Sequence, residues 1–259
     1  MNGDMIQIIS LLEMSGKEAL NRAAEEFSET TESEGISVLN DVQNGTLSKD
    51  IGAFISKFIH VFLEVFYDLD EKPRQIEAVV STLVREPLIT GIEQLRVANK
   101  TVPFSEKSMR YRVERFQNAL CSLDRARSLA SEGFEIALID LLRGLCAFEI
   151  PGGTSEAILH LTSFQVWGHK KVGDISSVKK KKQLKADSLA PEIEELKSSL
   201  NLETNNIPLY LALYQAQDRA QSLRAEIDEI ILLETKLMDI SFYISELLRM
   251  AQKIAEARA

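Results

Sequence analysis

Hydrophobic residues recur along this chain with the 3.6-residue period of helices that bury one face. A first pattern covers residues 4–27, with Met5, Ile8, Ile9 and Leu12 on one side, and runs into a polar stretch over 28–35 that reads as a loop. A second helix is predicted over 48–69 with Ser48 as its N-cap, and shorter helices over 73–85 and 87–99. After Pro103, Ser105 starts a segment running to 149. There Met109, Val113, Phe116, Leu120 and Leu123, then Phe134, Ala137, Leu141 and Phe148, follow a heptad spacing. Arg127 and Gly144 interrupt that seam and Gly133 offers a break, but one long helix is the favoured reading. A turn over 151–154 leads to a short helix ending near Trp167, and a further helix is expected over 189–200. The six prolines, among them Pro73, Pro87, Pro151, Pro191 and Pro208, fall where these patterns start or stop.

The last element carries the strongest signal. Asn205 and Asn206 cap a run from Leu209 to Ala259 that holds neither Gly nor Pro. One heptad position reads Leu209, Ala216, Leu223, Ile230, Leu237, Ile244, Ala251, and the other Leu213, Ala220, Ile227, Glu234, Ser241, Leu248, Ala255. Twelve of the fourteen are apolar, the pattern of a coiled-coil or long bundle helix. Such a helix spans roughly 75 Å and cannot bury its own stripe. Between Ile227 and Met250 the apolar face widens, which suits packing against two or more helices. Glu234 and Ser241 interrupt the seam, either to fix register or because the seam turns outward there.

The fold class that follows is all-α: an elongated helical bundle with a long heptad-patterned C-terminal helix. Its expected organisation is an N-terminal helical region over 1–169, a Lys-rich connector over 170–187, and a C-terminal long-helix region over 188–259 that packs back on residues 105–149. Composition agrees, because 12 Gly and 6 Pro in 259 residues are few for a chain rich in turns.

Charge adds one feature. The chain carries −9, which disfavours nucleic acid as a partner. Yet residues 170–185 hold seven lysines against Asp174, a local +6 that leaves −15 for the remainder. Lys179, Lys180, Lys181 and Lys182 form its core. They read as a solvated connector, a contact for anionic lipid, or a nuclear-import cluster. Phe54, Phe58, Phe62 and Phe66 repeat every fourth residue on a helix whose polar face holds Lys57, His60 and Glu64. That ladder reads as bundle core or as a face that enters a bilayer.

Catalytic signals are absent from the sequence. It shows no glycine-rich phosphate loop, HExxH, GxSxG or CxxC. Its three histidines are too scattered for a metal site and read as surface or boundary residues. Cys121 and Cys146 read as small buried hydrophobes of a reducing compartment. The opening residues lack the basic start of a secretory signal, and no apolar run is long enough to span a bilayer, so a cytoplasmic location is expected. The expectation is a non-enzymatic interaction or assembly protein with no cofactor or metal. A protein partner or self-association would run through Leu223, Ile227, Ile230, Leu237, Ile244 and Leu248. The alternative is a membrane-active protein, α-helical and pore-forming or membrane-binding, that uses the Phe ladder and the lysine strip.

Overall fold

The computed structural model describes residues 3–27, 51–67, 76, 79–101, 104–131, 133–202 and 205–258. The Ser48 cap, the 28–35 loop, Pro73 and Pro103 lie outside them. The described chain is all-α, in seven helices: α1 (Gly3–Phe27), α2 (Ile51–Tyr67), α3 (Thr82–Lys100), α4 (Glu106–Leu129), α5 (Gly133–Phe148), α6 (Thr154–Leu202) and α7 (Ile207–Arg258).

Three predicted boundaries move, each for a local reason. Pro87 does not open a helix but lies inside α3. The carbonyl that loses its partner belongs to Leu83, an exposed residue, where water can take over the bond. Second, the segment over 105–149 is two helices, not one. Ser105 does cap its start, accepting the Ser108 N–H in a capping box, but Ala130 turns to an extended backbone and ends α4. The junction is held by the buried carboxylate of Glu135, which accepts the backbone N–H of Ser81 and, at 3.4 Å, that of Ser131. Hydrophobic spacing persisted across this break because both helices bury the same side of the pattern.

The third change is the largest. Residues 170–187 are not a connector between helices but the middle of α6, a helix of 49 residues that also runs through Pro191. Ile175, Lys179, Lys182, Ala186, Leu189, Ile193, Leu196 and Leu200 follow a heptad spacing and are buried or half-buried, so α6 carries a seam of its own. Two of its positions are lysines, which masked the pattern. Pro191 and Asp187, whose carbonyl it leaves free, both face solvent.

Contacts divide the chain into two units, residues 1–169 with 239–259 and residues 170–238. In the first, helices pack on their chain neighbours: α1 on α2, α2 on α3, α3 on α4, α4 on α5. The Phe ladder is its core, with Phe58, Phe62 and Phe66 stacked at centroid spacings of 6.1 and 6.3 Å. His60 and Asn99 clasp α2 to α3 through a ring nitrogen to amide contact of 2.9 Å and an amide N–H donated to the His60 carbonyl at 3.0 Å. Trp167 sits against Phe134 and Phe164, both at 5.7 Å. Its start of α6 also presses on α5 at Gly144, where a Cβ would lie 3.3 Å from the Leu161 backbone nitrogen and closer still to its side chain.

The C-terminal part of α7 packs in this unit between two neighbours, as its broad apolar face predicts. Gln165 of α6 donates to Ser245 at 2.6 Å, and the Tyr243 ring covers Gly16 of α1. These contacts run to α6 and α1, where the sequence pointed to residues 105–149. Burial, with Asp239 and Glu13 nearby, pushes the Tyr243 phenol up to about 12.

In the second unit, residues 170–202 of α6 and 207–238 of α7 form an antiparallel hairpin. Lys179 meets Glu234, and Lys182, further along α6, meets Glu226, earlier along α7. The turn is closed by Asn206, whose side chain accepts the Leu209 N–H at 3.2 Å.

Gly144 sets how closely α5 and α6 approach. Gly144→Leu should cost about 1–3 kcal/mol by overpacking. Thermal unfolding checks this, and a variant that melts like the parent would show that the Leu161 turn gives way freely.

Candidate functional site

The seam assigned to partner binding is filled from within the chain. In the hairpin, Ile227 keeps 6% of its surface, Leu237 1%, and Leu223 and Ile230 are half-buried. In the first unit Ile244 and Leu248 are buried. Four of these six residues are enclosed in the fold and the other two are partly covered, so they present little free surface.

Glu234, the acidic break in the seam, has a definite role. Its carboxylate accepts from the Lys179 ammonium and the Ser176 hydroxyl, and Lys179 first, Ser176 second, hold it below the usual carboxylate range. A charge in an apolar seam is tolerated only opposite its counter-charge, so this pair fixes the register of the hairpin. The lysine strip thereby divides. Lys179 and Lys182 turn inward to ion pairs, while Lys170, Lys180, Lys181 and Lys185 are exposed.

The Phe ladder is likewise not a surface. Phe54, Phe58, Phe62 and Phe66 keep at most 2% of their area. Among the described residues no helix is long and apolar enough to cross a membrane.

Buried polar groups in the first unit are arranged as clamps. Asp140 accepts from Arg127 and Arg143, both at 3.1 Å, and from Ser163 at 2.6 Å, joining α4, α5 and α6. His160, expected at the surface or its boundary, is buried beside this network. Burial, then Arg143, lowers its pKa, so it rests neutral, 3.5 Å from Glu156. A cleft of about 280 Å³ between α2 and the 149–152 turn is lined by Gly52, Ser56, Glu149 and Ile254. Its one carboxylate, Glu149, is already engaged by Ser56 at 2.8 Å and Arg112 at 2.7 Å. Cys146 is buried, donates to the Phe116 carbonyl at 2.9 Å, and has its thiol pKa pushed up by burial. Cys121, expected inside, is exposed. Among the described residues no group of three His, Cys, Asp or Glu could hold a metal ion.

What sequence reading missed lies on the outside of the hairpin. At the start of α7, Ile207, Tyr210, Leu211 and Tyr214 share one helix face and leave 78, 53, 57 and 67% of their area in water. They flank the seam residues Leu209 and Leu213 rather than occupy the seam. The signal was present as apolar residues beside a seam already complete. Tyrosines in such a position suit a contact that is apolar at the ring and polar at the hydroxyl.

No protein-family model, curated protein or solved structure matches this chain.

The Lys179–Glu234 pair generates a prediction. Glu234→Gln should destabilise the chain by about 1–2 kcal/mol at neutral pH, because Lys179 keeps its charge without its partner. Glu234 is depressed in the folded state. Its contribution is therefore present above the ordinary value of 4.5 and lost as pH falls through the folded value. The gap in melting temperature between parent and variant should accordingly close at low pH. Lys179→Met with Glu234→Leu should recover most of the loss, and a double variant weaker than the single one would refute the pairing.

Proposed function

We propose that this chain is a non-enzymatic α-helical interaction protein, and that the outer surface of the 170–238 hairpin, rather than its heptad seam, makes the contact. One observation carries this reading. The seam is enclosed, yet the same hairpin leaves Ile207, Tyr210, Leu211 and Tyr214 together in water. A cluster of large apolar side chains on one face is a feature of binding surfaces, since folding alone gains nothing from it. The partner that fits is another protein, with an apolar face to cover the rings and polar groups for the two hydroxyls.

The test is photo-crosslinking from positions 210 and 214 in the cell of origin, with exposed position 229 as control. Adducts of one discrete mass from 210 and 214 but not from 229, lost from 210 when Tyr214→Ser is added and from 214 when Tyr210→Ser is added, support the reading. The paired variant should melt within about 2 °C of the parent, as surface changes do. Uncrosslinked chain alone from both positions would end it.

A second reading, action on membranes, draws on α2. Lys57, His60 and Glu64 are the basic and acidic residues in its seventeen, and its phenylalanines could meet lipid only if the helix left the core. Flotation with anionic and neutral liposomes separates the readings. Salt-sensitive flotation that Phe58→Ser with Phe62→Ser weakens supports membrane action, and a chain that stays at the bottom of the gradient excludes it.

A further inference from the structure

The outward face of α6 carries unused charge in a symmetric order. Lys181 and Lys185 are exposed, as are Glu192 and Glu195, one and two turns beyond Ser188, and none of the four forms an ion pair among the described residues. Their neighbours are engaged: Lys179 and Lys182 with α7, Glu194 with Lys197 at 2.7 Å, and Asp187 with Gln183 at 2.8 Å. Lys181 and Glu195 each lie one heptad from Ser188, on the same face and in opposite directions. Lys185 and Glu192 lie one helical turn from it, again on either side.

From this arrangement we infer that the face is self-complementary and that its occupant is a second copy of this chain, docked antiparallel about a two-fold axis at Ser188. The axis places Lys181 against the other copy's Glu195 and Lys185 against its Glu192, and repeats both pairs by symmetry. Leu184, 62% exposed, comes opposite the other copy's Pro191, which is also exposed. An anionic membrane or nucleic acid would be drawn to the lysines but would meet Glu192 and Glu195 on the same face, so charge favours the second copy. The contact from residue 181 to 195 is roughly 21 Å long, which places the dimer among small, transient interfaces that salt weakens. This inference rests on the interaction reading above and names one partner for it.

The experiment is sedimentation velocity of the full chain across micromolar to millimolar concentration, at low and high salt. Lys181→Glu with Lys185→Glu makes the face wholly acidic, and Glu192→Lys with Glu195→Lys makes it wholly basic. Each variant alone should self-associate about tenfold or more weakly than the parent, because like charges then face each other. Mixed in equal amounts, the two should form a 1:1 heterodimer, and the chain carrying all four changes should recover the homodimer. All sites are exposed, and recovery in the mixture shows that both variants are folded. A parent that stays monomeric, or variants that associate like the parent, would overturn the dimer. In the second case self-association would run through another surface and the interaction reading would stand, whereas failed crosslinking at 210 and 214 would remove that reading by itself.

Discussion

A helix of 52 residues with an apolar stripe along its length has to be met by another of comparable length, and that constraint organises this molecule. The answering element is α6, whose own seam lies on heptad spacing through the lysine-rich stretch. An apolar seam by itself tolerates slippage, since one heptad is much like the next. Glu234 opposite Lys179, and Glu226 opposite Lys182, remove that freedom, because a shift of one heptad parts both pairs and leaves their charges without the matching partner. The lysine strip is therefore first of all a folding device in the hairpin, and only its outward members remain for other contacts.

The first unit solves a different problem with different means. Its helices are short and lie on their chain neighbours, so its core is assembled locally, around phenylalanines stacked along α2. Its buried polar groups are shared between helices: Asp140 across α4, α5 and α6, and Glu135 at the junction of α4 and α5. Each such carboxylate is satisfied by donors from more than one element, which lets it be buried and makes it a clamp rather than a reagent. The same logic explains the cleft at Glu149, where the acid faces a cavity but its oxygens already accept from Ser56 and Arg112.

The proposed interaction surfaces and the folding surfaces thus fall on opposite sides of the same helices. Inward, α6 and α7 use aliphatic residues and matched charges. Outward, they keep tyrosines at the start of α7 and an ordered set of unmatched lysines and glutamates along α6. Such a division leaves contact surfaces free to be strengthened or weakened without disturbing the seam, since exposed substitutions seldom cost much stability.

By itself the sequence determined the helical class, the long C-terminal helix with its inward stripe, the Ser105 and Asn206 caps, and part of the burial pattern of the 105–149 segment, from Phe116 and Leu123 to Leu141 but not Met109. These follow from spacing and short-range hydrogen bonding, which a few consecutive residues specify. Tertiary structure decided what each stripe meets. Lys179 and Lys182 read as connector until Glu234 and Glu226 stand opposite them. Pro87 and Pro191 read as helix ends until their freed carbonyls are seen on exposed turns. His160 read as a surface or boundary residue until its place beside Arg143 and Asp140 of α5 buried it. For the lysines and His160 the deciding groups lie on other helices, and for the prolines what decides is whether packing leaves the freed carbonyl in water; local spacing carries neither piece of information.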